Sequence, residues 1–258
     1  IAPRLNAMGR LEHAIESLRL LCTTNRKRAK DLAIHLNRVN LERQKVVEGV
    51  VAHTKGSLTT DTLESVIVLA HESYHEGVIG LAASKLVEEF YRPAIVFSKK
   101  EKIAKASARS ISGFNIIEAI RKLDGFLLEG GGHPMAAGFS IETSRIEEFR
   151  QQLNKVAKPL LTEEILTKKL RIDMEIPFNL INQELFEKKE SFEPTGLGNP
   201  TPVFATKGVS LVDARLVGSD QKHLKLKLEK DGIIFEAIAF GMAAYYNKTS
   251  PDKKADVA

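Results

Sequence analysis

The chain has 258 residues, 43% of them hydrophobic and 28% charged, with a formal net charge of +5 at pH 7. That composition builds apolar cores and excludes a disordered tail, and the length suits one large domain or two small ones. No apolar run approaches the about 20 residues that span a bilayer, and one cysteine, Cys22, excludes an internal disulfide framework and suits a reducing cytoplasm. The basic excess is modest and fits a polyanion partner, while the absence of Trp makes aromatic stacking platforms sparse. An opening without Met, "IAPRLNAMGR", and an end at "KKADVA" lead to the expectation of an excised piece of a longer protein.

Residues 11–22 read as a short helix, broken at Thr23–Thr24, which can cap the next one. From Asn25 to about Lys55, Ala29, Leu32, Ala33, Leu36, Val39, Val46, Val47 and Val50 recur at three-and-four spacing, predicting one long helix with a single apolar stripe. An α/β pattern follows. "SVIVLA" (65–70), "RPAIVFS" (92–98), "IAKASARSI" (103–111) and "PMAAGFSI" (134–141) read as strands. Residues 77–90, 115–123 and 144–157 read as helices, the last with a Ser144-to-Glu147 capping box. Alternating strands and helices predict a mixed or parallel sheet covered by helices.

"AKPLLTE" reads as a linker, after which the texture becomes all-β. In "LKLKLEK", Leu224, Leu226 and Leu228 point to one side while Lys225 and Lys227 point to the other, predicting a basic sheet face. "PTGLGNPTP" (194–202) is a turn-rich loop leading into that domain.

Three constellations bear on chemistry. "HESYH" (71–75) fits the H-E-x-x-H zinc pattern, which works only on a helix. Here it follows a strand and precedes Gly77, so the expectation is a strand-to-helix turn with His75 and Glu76 at a helix N-terminus, or an ordinary surface turn. In "KASARS" (105–110), Ser107 and Arg109 are two apart and so share one side of a strand, where hydroxyl and guanidinium can clamp a phosphate. An edge strand with a solvated arginine is the competing reading. In "GGGHPMAAG" (130–138), successive glycines allow positive φ and a concave nest of N–H groups for phosphate oxygens, with His133 at the rim for hydrogen bonding or acid/base work. The run is not a P-loop, because no Lys–Ser/Thr pair follows; a flexible loop with a chance histidine is the alternative.

Taken in order, "PRLNAMGR" (3–10), "YHEGVIGLAASKLVE" (74–88), "KASARSISGFN" (105–115), "GGGHPMAAGFS" (130–140), "EPTGLGNPTPVF" (193–204) and "HLKLKL" (223–228) resemble the C-terminal two thirds of the RecJ family, single-stranded-DNA-specific exonucleases of the DHH phosphoesterase superfamily. The resemblance implies an α/β domain (mixed sheet with flanking helices), preceded by a long connecting helix and followed by an all-β OB-type barrel. Its parts would be residues 1–62, the end of a catalytic region and the connecting helix; 63–160, the DHH-associated substrate-binding domain; and 165–258, an OB-type single-strand-binding domain. With three or four strands visible where the OB barrel needs five, the barrel is expected to be truncated.

The resemblance also implies roles. Ser107 and Arg109 would bind a terminal 5′ phosphate or one close to it. Gly131, Gly132 and the catalytic His133 would face the scissile phosphate. Arg4, Arg10, Gln44, His75 and Lys85 would contact the strand, Lys85 standing where relatives often carry Arg. Lys225 and Lys227 would form the nucleic-acid face of the OB domain. The cofactor would be Mn2+ or Mg2+ in the intact enzyme, its ligands on a preceding DHH domain, with no metal held by this piece and no hydrolysis by it alone. Implied partners are single-stranded DNA, a helicase and a single-strand-binding protein; the protein would be a cytoplasmic monomer with no membrane contact. The alternatives are a DHH-type phosphoesterase of short oligonucleotides, a non-catalytic single-strand-binding module, and the related end domain of alanyl-tRNA synthetases, whose glycine run continues differently.

Overall fold

Three helices come first. Ala2–Leu11 (α1) carries Pro3 in its first turn, where a missing N–H costs nothing. Ile15–Cys22 (α2) follows, so the single helix expected over 11–22 is two, parted at Glu12–Ala14. Arg26–Ser57 (α3) is the expected long helix. Asn25, rather than Thr23 or Thr24, caps it, its side-chain oxygen accepting from the Arg28 N–H at 3.0 Å. Ala7 and Met8 of α1 pack against Leu36 and Val39 of α3, all fully buried. The computed structural model describes residues 1–57, 63–249 and 253–258.

The first of two compact units, Ile1–Lys168, is built on a five-stranded sheet. Ile67–His71 (β1) leads through Ile79–Phe90 (α4) to Ala94–Lys99 (β2), a parallel pair joined by a helical crossover. Ile103–Arg109 (β3), Leu127–His133 (β4) and Ala136–Glu142 (β5) complete it in the order β1-β2-β3-β5-β4, with antiparallel pairs from β2 onward. Ile116–Arg121 (α5), Ile146–Ala157 (α6) and Glu163–Leu166 (α7) flank it. The capping box expected at Ser144–Glu147 does not form. Thr143–Arg145 wind into a 3-10 turn, and the residue before α6 is Arg145.

The sheet has two unlike faces. On one, Ala104, Ala106, Ala108, Ala137, Phe139 and Ile141 meet Ile116, Ile120, Phe149 and Leu153 of α5 and α6 in the main core. Edge-to-face contacts of Phe97 with Phe139 (5.5 Å) and Phe149 (6.0 Å) anchor it. On the other, Ile67, Ala94 and Val96 meet Ile79, Ala82, Ala83 and Leu86 of α4 and Val50 of α3. This helical cover lies over β1 and β2, and the same face of β5 and β4 is exposed at Gly138, Gly131 and His133.

Leu161, Ile165 and Leu166 also pack on the main core, so the boundary falls at Lys168/Lys169, not at the expected 160–165.

The second unit, Lys169–Ala258, is β-rich. Met174–Glu175 (β6) precedes Gln183–Glu190 (α8), which is capped by Asn182. Phe204–Val217 (β7), His223–Lys230 (β8), Ile233–Ala239 (β9) and Lys254–Val257 (β10) pair in the order β10-β7-β8-β9, with β6 beside β7. Five strands are therefore present where three or four were expected; β6 and β10, of two and four residues, are too short to show a period in sequence. Asp231 and Gly232, at φ 52° and 79°, close the β8–β9 hairpin in two residues, as the Asp-Gly pair favours. Val209, Leu211, Leu224 and Leu228 are buried, and Phe178 stacks edge-on against Phe235 at 5.1 Å.

Candidate anion-binding site

The site follows from strand register. Opposed residues of β3, β5 and β4 on the open face form three rows: Lys105–Ser140–Glu129, Ser107–Gly138–Gly131 and Arg109–Ala136–His133. The middle row places two glycines directly opposite each other beside Ser107. The centre of the face is a floor without side chains, with cations and imidazole along one border.

The glycine run is thus not the concave nest expected from its sequence. Gly130–Gly132 are part of β4, an edge strand paired with β5, and Pro134–Met135 turn the hairpin. Close approach, not a left-handed turn, demands glycine here. A Cβ at Gly132 would lie 2.4 Å from the Ala136 carbonyl oxygen, and one at Gly130 would lie 2.6 Å from the Phe139 Cβ. Gly131 has open space in front of it. As an edge strand, β4 leaves alternate N–H groups unpaired in the sheet, so amide donors remain beside the floor. His133 is exposed at its end.

The wall is the start of α4. A Cβ at Gly80 would lie 3.0 Å from both the Ser107 Oγ and an Arg109 guanidinium nitrogen. Arg109 Nη1 donates to Ser107 Oγ at 3.1 Å and to the Ala108 carbonyl at 2.8 Å, holding the fork over the floor. Arg10 arrives from α1. Its Nη1 donates to the Gly77 carbonyl at 3.1 Å, and its own carbonyl oxygen occupies the place a Gly77 Cβ would take, 1.8 Å away. Burial, then the nearby Arg10 charge, pull the Arg109 guanidinium below its ordinary pKa. Among the described residues neither arginine forms an ion pair with a carboxylate. Two neighbouring guanidiniums without carboxylate partners, beside a hydroxyl and an edge strand, are a combination chemically suited to an anion such as phosphate.

Ser107, Arg109, Gly131 and His133 are brought together on one face, Gly132 lies in the same strand, and Arg10 joins at the wall. Gly77 and Gly80 were not singled out from the sequence; the glycine spacing at the head of an apolar helix was the available signal. His75 lies in the turn before α4, its Nδ1 accepting from the Gly77 N–H at 3.1 Å, so "HESYH" is a turn and not a helical zinc pair. Gln44 and Lys85 line a separate groove of about 410 Å3 between α3 and α4, together with Arg43, and Lys85 is paired with Glu88 at 2.6 Å. Arg4 Nε donates to Asn37 on α3 at 2.8 Å and is exposed.

In the second unit, Lys225 and Lys227 share a face as expected, but that face is not simply basic. The strand pairing sets Arg215, Lys225 and Lys227 among Asp213, Glu229 and Glu236, with Ile234 and Ile238 alongside. Lys225 pairs with Glu236 at 2.7 Å, and that bond holds the Glu236 carboxyl below the usual carboxylate range. The carboxylates come from strands distant in sequence, which local alternation could not reveal.

Among the described residues no three His, Cys, Asp or Glu side chains converge as a metal site requires. The donors at the site are guanidinium, hydroxyl, imidazole and amide, a set whose chemistry suits phosphate oxygens better than Mg2+ or Mn2+. No helix among the described residues is long and apolar enough to cross a membrane.

Comparison with known proteins agrees with both units. Residues 63–158 match the DHHA1 domain model and residues 172–258 the RecJ OB domain model. The single-stranded-DNA-specific exonuclease RecJ of Bacillus subtilis is 35% identical over 93% of this chain and 31% of its own length. That of Haemophilus influenzae is 32% identical over 94% of this chain and 44% of its own length. The crystal structure of Thermus thermophilus RecJ in complex with Mg2+ superposes with a TM-score of 0.78 at 30% identity, covering 93% of this chain and 36% of that one. A second structure of the Thermus protein is in complex with Mn2+. The chain spans between about a third and under a half of these relatives, less than the two thirds its motifs suggested. It carries a DHHA1 domain followed by a RecJ OB domain, and corresponds in sequence and fold to the C-terminal part of the RecJ single-stranded-DNA-specific exonucleases.

Proposed function

We propose that this chain is the substrate-holding part of a 5′–3′ exonuclease specific for single-stranded DNA, acting in repair and recombination. The observation that carries this reading is the uncompensated Arg10–Arg109 pair beside Ser107 and the Gly131–Gly138 floor. Arg109 and Arg10 take the terminal phosphate, Ser107 donates to one of its oxygens, and the bare floor lets the sugar-phosphate backbone lie close. His133, in the same row as Arg109 but two strands away on β4, donates a hydrogen bond to the next phosphate, the one to be cut. Fixing the end in this way converts a bimolecular encounter into a positioned one. The second unit holds the trailing strand weakly through Arg215, Lys225 and Lys227, with bases lying against the exposed Ile234 and Ile238. Mn2+ or Mg2+, when bound to ligands outside this chain, activates the attacking water. The intact protein would be a cytoplasmic monomer working with a helicase and a single-strand-binding protein.

The test compares 5′-phosphoryl with 5′-hydroxyl oligonucleotides by fluorescence anisotropy. Charge-assisted hydrogen bonds contribute about 1.5–3 kcal/mol, so the phosphorylated strand should bind roughly ten- to a hundredfold tighter, and Arg109→Ala should abolish the difference. Equal binding of both ends by the unaltered chain sinks the assignment. Supplied with Mn2+, the chain alone should leave single strands uncut; hydrolysis that co-purifies through several columns would place the metal ligands within it.

A further inference from the structure

The open face has a second border, opposite in character to the first. Lys105 projects from the same side of β3 as Ser107 and Arg109, yet it is not available to a ligand as they are. Glu76, in the turn before α4, pairs with Lys105 at 3.1 Å and also with Lys100 from the β2–β3 connection. These hydrogen bonds hold the Glu76 carboxyl below the usual carboxylate range, so it is ionised at neutral pH. Across the sheet in the same row stands Glu129, whose carboxylate accepts from Ser140 Oγ at 3.0 Å. Around the Lys105 row, then, two lysines meet two carboxylates, while the Arg109 row carries guanidinium charge with no carboxylate partner among the described residues. Across the three rows the face changes from charge-balanced at Lys105 to cationic at Arg109 over about 13 Å, four strand residues at about 3.3 Å each.

We propose that Glu76, with Glu129, is a specificity-determining fence: it masks Lys105 and repels phosphates from that end of the face, so that an anionic strand end is admitted only at the Arg109 row. The inference rests on the phosphate-holding role of this face, and it adds what sets the register and direction of the strand there. Without Glu76, β3 would present two unpaired cations, Lys105 and Arg109, four residues apart on one side, and a phosphate could settle at either.

The experiment measures affinity for 5′-phosphoryl and 5′-hydroxyl oligothymidylate across a salt series, with the unaltered chain, Glu76→Gln, Glu76→Gln/Lys105→Gln and Glu129→Gln. Each cation released to a single strand steepens the salt dependence of log Kd by about 0.7. Glu76→Gln should therefore steepen the slope by about 0.7 or more, tighten hydroxyl-ended strands several-fold and narrow the preference for the phosphorylated end. The double variant should return most of the slope. Glu129→Gln, which removes an exposed carboxylate and leaves every strand pairing in place, should tighten hydroxyl-ended strands with an unchanged melting temperature. An unchanged slope in Glu76→Gln overturns the fence, as does a uniform loss of affinity with a lowered melting temperature, which is what a merely structural ion pair would give. If the unaltered chain binds both ends equally but Glu76→Gln still steepens the slope, the terminal-phosphate reading fails while the masking of Lys105 stands.

Discussion

Two exposed sheet faces invite comparison, β3-β5-β4 of the first unit and β7-β8-β9 of the second. Both are antiparallel and both carry cations that alternate with small or apolar residues. On β7-β8-β9 each cation has a carboxylate within its own row or the next, and Ile234 and Ile238, each 52% exposed, fill the gaps. On β3-β5-β4 the middle row is cleared to glycine, and at the Arg109 row the charge goes unanswered. Ion pairs on an open surface contribute little to stability, and a cation already paired attracts an anion more weakly than one without a partner. Cations left without partners next to a bare backbone cost stability and are retained for what they bind. Charge density alone therefore does not set how strongly a face draws an anion; compensation does.

That contrast can be broken at three strengths. Gly77→Val should have the largest effect, because its Cβ meets the backbone of Arg10 and no side chain can swing away. Overpacking of this kind costs about 3 kcal/mol, a fall of roughly 6–12 °C in melting temperature at about 2–4 °C per kcal/mol; scanning calorimetry of the chain checks it, and an unshifted transition would show that α1 does not dock at Gly77. Gly131→Val should separate folding from binding. Its side chain meets open space and suits a strand, so the melting temperature should hold within about 0.5 kcal/mol, while methyl groups on the floor should weaken phosphate-ended strands roughly tenfold, about 1.4 kcal/mol. Unaltered affinity in that variant would mean that the strand does not cross the glycine row. Lys225→Ala should have the smallest effect. With Glu236 already answering its charge, both stability and strand affinity should change by less than about 1 kcal/mol in the titration and the melt.

Much of this was legible in the sequence where a single element carries its own period. The long apolar stripe of α3, the β1-α4-β2 unit and the shared side of Ser107 and Arg109 all follow from local spacing. The glycine run was misread because glycine carries no strand signal, and the reason for it, Phe139 and Ala136 pressing from β5, lies across a hairpin. The compensation of the Lys225–Lys227 face escapes local spacing for the same reason, since Asp213 and Glu236 come from β7 and β9. The Ser144–Glu147 pair had the right spacing but lost to a 3-10 turn that begins one residue earlier. Arg10 was named from resemblance; its geometric role became visible only when α1 met Gly77, 67 residues away.

The Arg10–Gly77 contact has a thermodynamic consequence. Arg10 belongs to a helix whose other contacts are with α2 and α3, and Arg109 belongs to the sheet. A phosphate that engages both guanidiniums cross-links these two parts of the first unit. By linkage, occupancy of the site tightens the seating of α1, and any change that loosens α1 is felt as weaker grip on the strand end. If the site takes a phosphate in this way, the helices at the start of the chain belong to the binding equilibrium, although most of their residues would never approach the ligand.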